Sequence, residues 1–321
     1  MNTMNKEVKF KDLTGNYDPN FNPSHEYLDS MPDLQNSDFK GIPIEFVGIQ
    51  DFKIPIKIRE KNGGFQNVLA SISGSCSIDA HTRGLNMSRI IRTFYKSKDD
   101  VFDINKLEEV LRNYQKDQKS FDAHILMNFE YYQWQDALVS RKDNGEKEGG
   151  YATYNITFDC NLDMNGEFKK IMWVDFTYSS ACPCSTALTE HAAYTQGLHG
   201  IPHSQRSLAR LGIEFDNLVW IEDVLDHCRK ALITECQIFV KRVDEMQFAC
   251  MNYSSQKFVE DAVRLIADEL NKDKDILDYK VICVHNESLH PHSVFGVITK
   301  GLENSIFNHH VSINELRSMV V

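Results

Sequence analysis

The sequence predicts an α+β fold in which antiparallel sheets carry paired helices on one face. Segments typical of strands and helices follow the order strand, strand, helix, helix, strand, strand, and this order occurs twice in the 321 residues. The composition, with 42% hydrophobic and 25% charged residues, is that of an ordinary globular protein. We therefore divide the chain into an N-terminal arm over 1–40, a first module over 41–165 and a second module over 166–321.

The arm and the first two strands differ in composition. Residues 1–40 are rich in Asn, Asp, Pro and Ser and have little periodicity, which is typical of an extended segment with a poorly ordered start. Residues 43–59 and 66–79 read as strands on either side of the turn sequence KNGG at 61–64. The first module therefore begins with a predicted strand pair.

Two helices and two strands complete the first module. Apolar residues recur three and four positions apart over 87–96 and 104–115, which predicts helices. Residues 122–134 and 151–162 read as strands, and the charged, glycine-containing stretch at 141–150 is expected to join them as a loop.

The second module repeats this order. Its predicted elements are strands at 168–178 and 207–215, helices at 220–235 and 256–271, and strands at 278–286 and 293–299. The last helix carries an apolar stripe made of Phe258, Val259, Ala262, Leu265, Ile266 and Leu270. A stripe of this kind is what a helix lying on a sheet needs.

Charge and hydropathy exclude several classes of function. A formal net charge of −11 disfavours nonspecific binding to nucleic acid, although a small polyanion could still bind in a local basic pocket. No stretch approaches the roughly 18 apolar residues of a membrane span, and we expect a cytoplasmic protein. The eight cysteines are spread along the chain, which favours reduced thiols over a disulfide framework.

A cysteine and histidine cluster follows the strand IMWVDFTY. Cys182 and Cys184 form a C-x-C pair, and His203 comes later in a segment, 179–207, that we expect to be a loop. This spacing does not fit a four-cysteine zinc site, but Cys182, His203 and a carboxylate would be sufficient for a catalytic metal with an open position. The alternative is that both cysteines are inert packing residues and the histidines lie at the surface.

Two further polar clusters could bind a substrate. Gln205, Arg206 and Ser207 offer an amide, a guanidinium and a hydroxyl that suit phosphate or carboxylate oxygens, unless they are simply the start of a strand. In the sequence VHNESLHPHSVF at 284–295, three polar side chains stand together at the end of a strand. They are Glu287, His290 and His292. Paired imidazoles beside a carboxylate suit proton transfer, and the carboxylate could also bind the amidine edge of guanine; the alternative is a solvated hairpin.

Three other carboxylates are candidates for a site. Glu245 lies in KRVDEM, which we expect to be a polar connection between two helices. Glu260 lies nearly opposite the apolar stripe of the last helix, which favours a solvated surface position. Glu235 continues the apolar stripe of the preceding helix and is, on periodicity, an equally good buried carboxylate.

Five motifs in this order resemble those of the type IB GTP cyclohydrolases, prokaryotic enzymes of the tunnelling fold (T-fold). They are SSACPCS, PHSQRS, RVDE, KFVEDAVR and NESLHPH, and the similarity extends to MPDLQN at 31–36 and NMSR at 86–89. The resemblance implies two ββααββ modules per chain and a homotetramer with active sites at module and subunit interfaces. Members usually have a His before Met-Ser-Arg, whereas this chain has Asn86, and the segment between Cys184 and His203 is longer than the form common in the family.

The resemblance also implies a role for each candidate residue. One divalent metal per subunit, Zn²⁺ or alternatively Mn²⁺ or Fe²⁺, is expected on Cys182, His203 and Glu245. The other expected roles are guanine binding by Glu287, proton transfer by His290 and His292, assistance at the purine by Cys184 and Glu260, and contacts to ribose and triphosphate from Gln205, Arg206 and Ser207.

The activity implied is metal-dependent hydrolysis of GTP to 7,8-dihydroneopterin triphosphate and formate. An archaeal-type relative that gives a cyclic phosphate is the nearest alternative. The nitrile reductase of queuosine synthesis shares the fold but lacks the Cys-His-Glu metal set. A noncatalytic purine- or pterin-binding protein, or a metal-storing protein, represents a different class of function.

Overall fold

The computed structural model describes residues 22, 24–31, 39–96, 101–102, 104–301 and 305–320. Most of the arm expected for residues 1–40, and all but the first residue of MPDLQN, lies outside the described residues. The strands are β1 (Ile44–Arg59), β2 (Phe65–Ile78), β3 (Val101–Phe102), β4 (Ala123–Arg141), β5 (Lys147–Leu162), β6 (Phe168–Ala181), β7 (Ser204–Phe215), β8 (Ile276–His285) and β9 (Val294–Thr299). The helices are α1 (His25–Asp29), α2 (Met87–Lys96), α3 (Ile104–Gln118), α4 (Pro183–Gln196), α5 (Ile221–Leu232), α6 (Arg242–Ser254), α7 (Val259–Leu270) and α8 (Ile313–Arg317).

These strands form one sheet in the order β3-β1-β2-β4-β5-β6-β7-β8-β9. The short β3 pairs parallel to β1, and the other neighbours are antiparallel. Burial alternates along most of β2, β4 and β6, so side chains of one face pack inward while those of the other face are more exposed. The architecture is therefore α+β, as the sequence predicts.

One large hydrophobic core extends across both halves of the sheet, and a separate small cluster, which includes Ile282 and Met319, lies in the second half. The large core includes Ile72 and Ile125 in the first half and Phe176 and Leu211 in the second half, all fully buried. Helix α3 contacts β4 and β5, whereas α5 and α7 contact each other and the strands of the second half. The module boundary after residue 165 falls in the turn between β5 and β6 and stays a prediction.

The predicted strands are present, and one predicted loop is shorter than expected. Strand β4 continues to Arg141 and β5 begins at Lys147, where Arg141 pairs with Lys147. The expectation of a loop throughout 141–150 is therefore wrong, because the two long strands pair again beside the turn after an irregularity between Asp136 and Arg141.

Two long helices occupy segments that the sequence predicts as irregular, and the short α1 lies in the arm that was expected to be extended. Helix α4 lies within the expected loop 179–207, and α6 replaces the expected polar connection around Glu245. Each helix buries one residue, Thr186 in α4 and Asp244 in α6, so neither carries the apolar stripe that indicates a helix. The terminal signals of α4 are present, since Pro183 is its first residue and Gly197 at its C-terminal end has φ 69°.

The last long helix lies on the sheet as predicted, with its stripe slightly rotated. In α7 the buried side chains include Ala262, Ile266 and Leu270, whereas Phe258 and Leu265 are exposed. All eight cysteines are free, and four of them are buried. Within the described part of the chain, every helix is too short or too polar to cross a bilayer.

Candidate active site

Strand pairing brings the first cysteine of the C-x-C pair next to the predicted histidine ligand. Ala181 at the end of β6 pairs with Ser204 at the start of β7. Cys182 and His203 are the next residues outward on the two strands, and the amide of Cys182 donates to the carbonyl oxygen of His203 at 3.2 Å. The register of one antiparallel pair therefore holds the two residues side by side.

Both cysteines and His203 line one open cleft of about 560 Å³. The remaining lining residues are Ser185, Leu188, Ile201, Pro202, Ser204, Ser288 and Leu289. Cys182 is partly buried, whereas Cys184 is exposed in the first turn of α4. The cleft thus joins the end of β6, the start of β7 and the connection between β8 and β9.

The β8–β9 connection brings the predicted substrate and proton-transfer residues to the same edge of the sheet. The Ser288 hydroxyl donates to the carbonyl oxygen of Ser204 at 3.1 Å, which holds this connection against β7. Glu287 is partly buried, and the exposed rings of His290 and His292 stack with centroids 4.8 Å apart and planes 12° apart. The two imidazoles therefore point to the same side, beside the cleft wall.

The polar triplet at the start of β7 divides between two faces of the sheet. Gln205 and Ser207 point inward and are 8% and 0% exposed, whereas Arg206 is exposed. The amide nitrogen of Gln205 donates to the Ser180 hydroxyl at 2.8 Å, and the hydroxyls of Ser180 and Ser207 are 2.9 Å apart. Arg206 lies near Cys236, whose pKa is raised to about 11 by burial although the guanidinium lowers it.

A buried polar cluster below the cleft was not predicted from the sequence. His285, 2% exposed, has its Nε2 at 2.9 Å from the Tyr178 hydroxyl and its Nδ1 at 3.4 Å from the Ser180 hydroxyl. Burial and, to a smaller extent, the positive charge of Lys257 together lower the pKa of His285 to about 4. Lys257 is itself buried, and burial lowers its pKa to about 8. In the sequence, the only indication of a role for Lys257 was its place in the motif KFVEDAVR, one residue before the N-cap Phe258 of α7.

The third predicted metal ligand does not join the cleft within one chain. Glu245 is exposed in the first turn of α6, while the backbone amide of Lys257, beyond the other end of this helix, donates to Ala181 beside Cys182. A helix rises about 1.5 Å per residue, so Glu245 lies about 14 Å from the end of α6 nearest the cleft. Among the described residues, no group of three or more His, Cys, Asp or Glu side chains could hold a metal ion.

Two other carboxylates are accounted for by their surroundings. Glu235, 8% exposed, accepts hydrogen bonds from the Tyr154 hydroxyl at 2.5 Å and from Nε of Arg229 at 3.0 Å. Its charge is therefore already paired, which makes it a poorer metal-ligand candidate than its burial suggested. Glu260 is exposed in the first turn of α7, as helical periodicity predicts.

Comparison with known proteins identifies the family. The family model described as type I GTP cyclohydrolase folE2 matches residues 31–296. The chain belongs to this family. The match covers the cleft, the buried cluster and the β8–β9 connection, and it confirms the predicted membership of a GTP cyclohydrolase family.

Individual relatives agree with this membership. The GTP cyclohydrolase FolE2 of Roseobacter denitrificans is 40% identical over 302 residues, which are 92% of this chain and 80% of the relative. The GTP cyclohydrolase FolE2 of Paracoccus denitrificans is 38% identical over 301 residues, 92% of each chain.

Among solved structures, uricase from Arthrobacter globiformis aligns with a TM-score of 0.49 at 10% identity, covering 83% of this chain and 96% of the uricase.

Proposed function

We propose that the chain hydrolyses GTP to 7,8-dihydroneopterin triphosphate and formate, the first step of tetrahydrofolate-type pterin synthesis. The observation that carries this proposal is the match of residues 31–296 to the folE2 family. We further propose the type IB subclass, a tunnelling fold of two ββααββ modules, and a cytoplasmic location. Two strand pairs with helices between them in each half of the sheet support the modules.

The proposed metal site begins with Cys182 and His203. A sulfur and an imidazole nitrogen in one cleft suit Zn²⁺, with Mn²⁺ or Fe²⁺ as alternatives. A catalytic site needs about three protein donors, and we infer that Glu245 provides the third from a neighbouring subunit, since within one chain it lies at the far end of α6. When bound, the metal supplies an activated water for attack at C8 of the guanine.

The connection between β8 and β9 is proposed to bind the guanine. An ionised Glu287 can accept two hydrogen bonds, from N1–H and from the exocyclic amine. Arg206, whose side chain is exposed, is proposed to contact the triphosphate. Gln205 and Ser207 are buried, so we assign them to supporting the site from below, rather than to the direct substrate contact expected from the resemblance.

Acid–base groups are needed because two C–N bonds break. His290 and His292 stand together at the rim, and each imidazole can deliver a proton to a purine nitrogen and take one from water. Cys184 lies in the cleft wall and is proposed to assist at the reacting purine. Glu260 would take part from a neighbouring subunit, because its side chain is exposed in one chain.

A homotetramer is proposed because two helices leave large apolar side chains uncovered. On and near α4, Tyr194 is 92% and Ile201 90% exposed, and on α6 Met246 is 64% exposed. Such patches mark association surfaces in soluble proteins. Partners other than GTP and further copies of the chain are not proposed, and net charge argues against nucleic acid.

The proposal is tested by loading the purified protein with Zn²⁺ or Mn²⁺, adding GTP, and measuring formate together with a fluorescent oxidised pterin. Cys182→Ala is expected to lose bound metal and turnover, whereas Cys250→Ala, an exposed thiol on α6, retains both. A cyclic phosphate product would indicate the archaeal-type reaction. Binding of GTP without formate release would indicate a purine-binding protein.

A further inference from the structure

A line of hydrogen bonds leads from the cleft into the core. Nδ1 of His203 lies 3.3 Å from Oε1 of Gln205, and Nε2 of Gln205 donates to the Ser180 hydroxyl at 2.8 Å. The Ser180 oxygen lies 3.4 Å from Nδ1 of His285, whose Nε2 lies 2.9 Å from the Tyr178 hydroxyl. Ser180, His285 and Tyr178 are at most 2% exposed, so water cannot replace the bonds among these three residues.

One assignment of donors accounts for the line with the Gln205 amide as it is placed, nitrogen toward Ser180 and oxygen toward His203. A neutral His285 that donates from Nε2 to Tyr178 leaves Nδ1 as an acceptor for the Ser180 hydroxyl. Ser180 has a single proton, so its oxygen must then accept from Gln205. The amide of Gln205 can do this only with its nitrogen toward Ser180 and its oxygen toward His203.

We propose that Gln205, Ser180 and His285 form a relay that holds the proton of His203 on Nδ1 and leaves Nε2 free to bind a metal in the cleft. The inference rests on the proposed metal site. Gln205 is a positioning residue in this scheme, because it acts through His203 and does not touch substrate. Orientation of a metal-binding imidazole through its other nitrogen is a general feature of metal sites.

Two observations fit this direction of the relay. The pKa of His285 is lowered to about 4 by burial and by Lys257, so the ring is neutral at pH 7 and keeps one acceptor nitrogen. The Gln205 amide is placed with Nε2 at 2.8 Å from the Ser180 hydroxyl and with Oε1 at 3.3 Å from Nδ1 of His203, so the amide oxygen faces the imidazole. With the amide in this orientation, a proton on Nδ1 of His203 gives the amide oxygen a donor, whereas a proton on Nε2 would leave two acceptors facing each other.

The test is a long-range ¹H–¹⁵N NMR spectrum of the metal-free protein labelled on histidine, with the His203 signals assigned from their loss in His203→Ala. We expect the parent protein to carry the His203 proton on Nδ1. Gln205→Leu is expected to shift it to Nε2, the form that free histidine prefers, and to weaken Zn²⁺ binding by about 10- to 100-fold. Gln205→Glu, which still accepts from Nδ1–H, is expected to restore the parent tautomer.

Ser207→Ala is the matched control, because it removes a buried hydroxyl of the same cluster without breaking the line to His203. It is expected to keep the parent tautomer. The inference is overturned if the parent carries the proton on Nε2, or if Gln205→Leu keeps it on Nδ1 with parental Zn²⁺ affinity. Failure of Gln205→Leu to fold leaves the parent spectrum as the deciding measurement. If His203 shows the expected tautomer but the protein releases no formate from GTP, the proposed function is refuted and the relay is not.

Discussion

Lys257 carries a buried charge that should reduce the stability of the protein. Its side chain is 4% exposed, and its ammonium donates to the Thr234 hydroxyl at 3.3 Å and to the Ser255 carbonyl oxygen. Burial lowers its pKa from 10.5 to about 8. Replacing it with methionine keeps a long flexible side chain and removes the charge, so Lys257→Met should be more stable than the parent at pH 7.

The size of the effect follows from the pKa. Each pKa unit corresponds to about 1.4 kcal/mol, so holding the protonated amine in the core costs roughly 3 kcal/mol at pH 7. Because the pKa of the folded protein lies below that of the unfolded chain, the unfolded chain binds more protons between pH 8 and 10.5. As pH rises through this window, the free energy of unfolding of the parent therefore increases relative to that of the variant.

Urea unfolding followed by tryptophan fluorescence measures this difference at pH 7 and pH 9.5. We expect Lys257→Met to unfold at a higher urea concentration than the parent at pH 7, and we expect this difference to be smaller at pH 9.5. The other titrating groups are the same in both proteins, so their effects cancel in the comparison. Lys230→Met, at an exposed lysine of α5, should change the unfolding free energy by less than about 0.5 kcal/mol. A variant no more stable than the parent at pH 7 would refute the reasoning.

Three further predictions concern the proposed site. Glu287→Gln should weaken GTP binding sharply, because one acceptor becomes a donor facing the purine N–H groups, and unchanged affinity in a binding titration would remove Glu287 from the site. His290→Ala and His292→Ala should each bind metal and GTP nearly normally but lose about 10²- to 10⁴-fold in turnover; metal loss in parallel with activity would make them ligands instead. Light scattering should give a tetramer at micromolar concentration, and a fully active monomer would contradict the shared-site proposal.

The elements with strong periodicity could be predicted from sequence. Strand β1 was expected at 43–59 and is observed at Ile44–Arg59, since its composition and the KNGG turn define both ends. Helix α7 was recognised from its stripe, although Leu265 proved exposed. Helix α4 could not be recognised in the same way, because a helix with one buried residue has no apolar period.

The sequence predicted which residue types form the candidate site, but it did not predict which of them are buried below the cleft. Cys182 and His203 could be paired because both flank strand ends, and the structure brings them together through the β6–β7 register. The inward position of Gln205 depends on which face of β7 is buried, and a run with both faces partly buried does not reveal this. Lys257 and His285 become significant only when tertiary packing brings them below the cleft.

The hydrogen bond between Cys182 and His203 joins the two ends of the segment that contains α4. This contact determines where the length of the chain can change without moving either residue. Beyond the first turns of α4, a change of length up to Pro202 would leave Cys182 and His203 in register, although it would also alter the apolar surface around Tyr194 and Ile201 that is proposed to join subunits. A single residue inserted within β7 would be far more damaging. It would turn Gln205 outward and bring Arg206 into the buried hydroxyl cluster, so an engineer seeking a new lid for this cleft should work on the segment that contains α4 and leave the strand untouched.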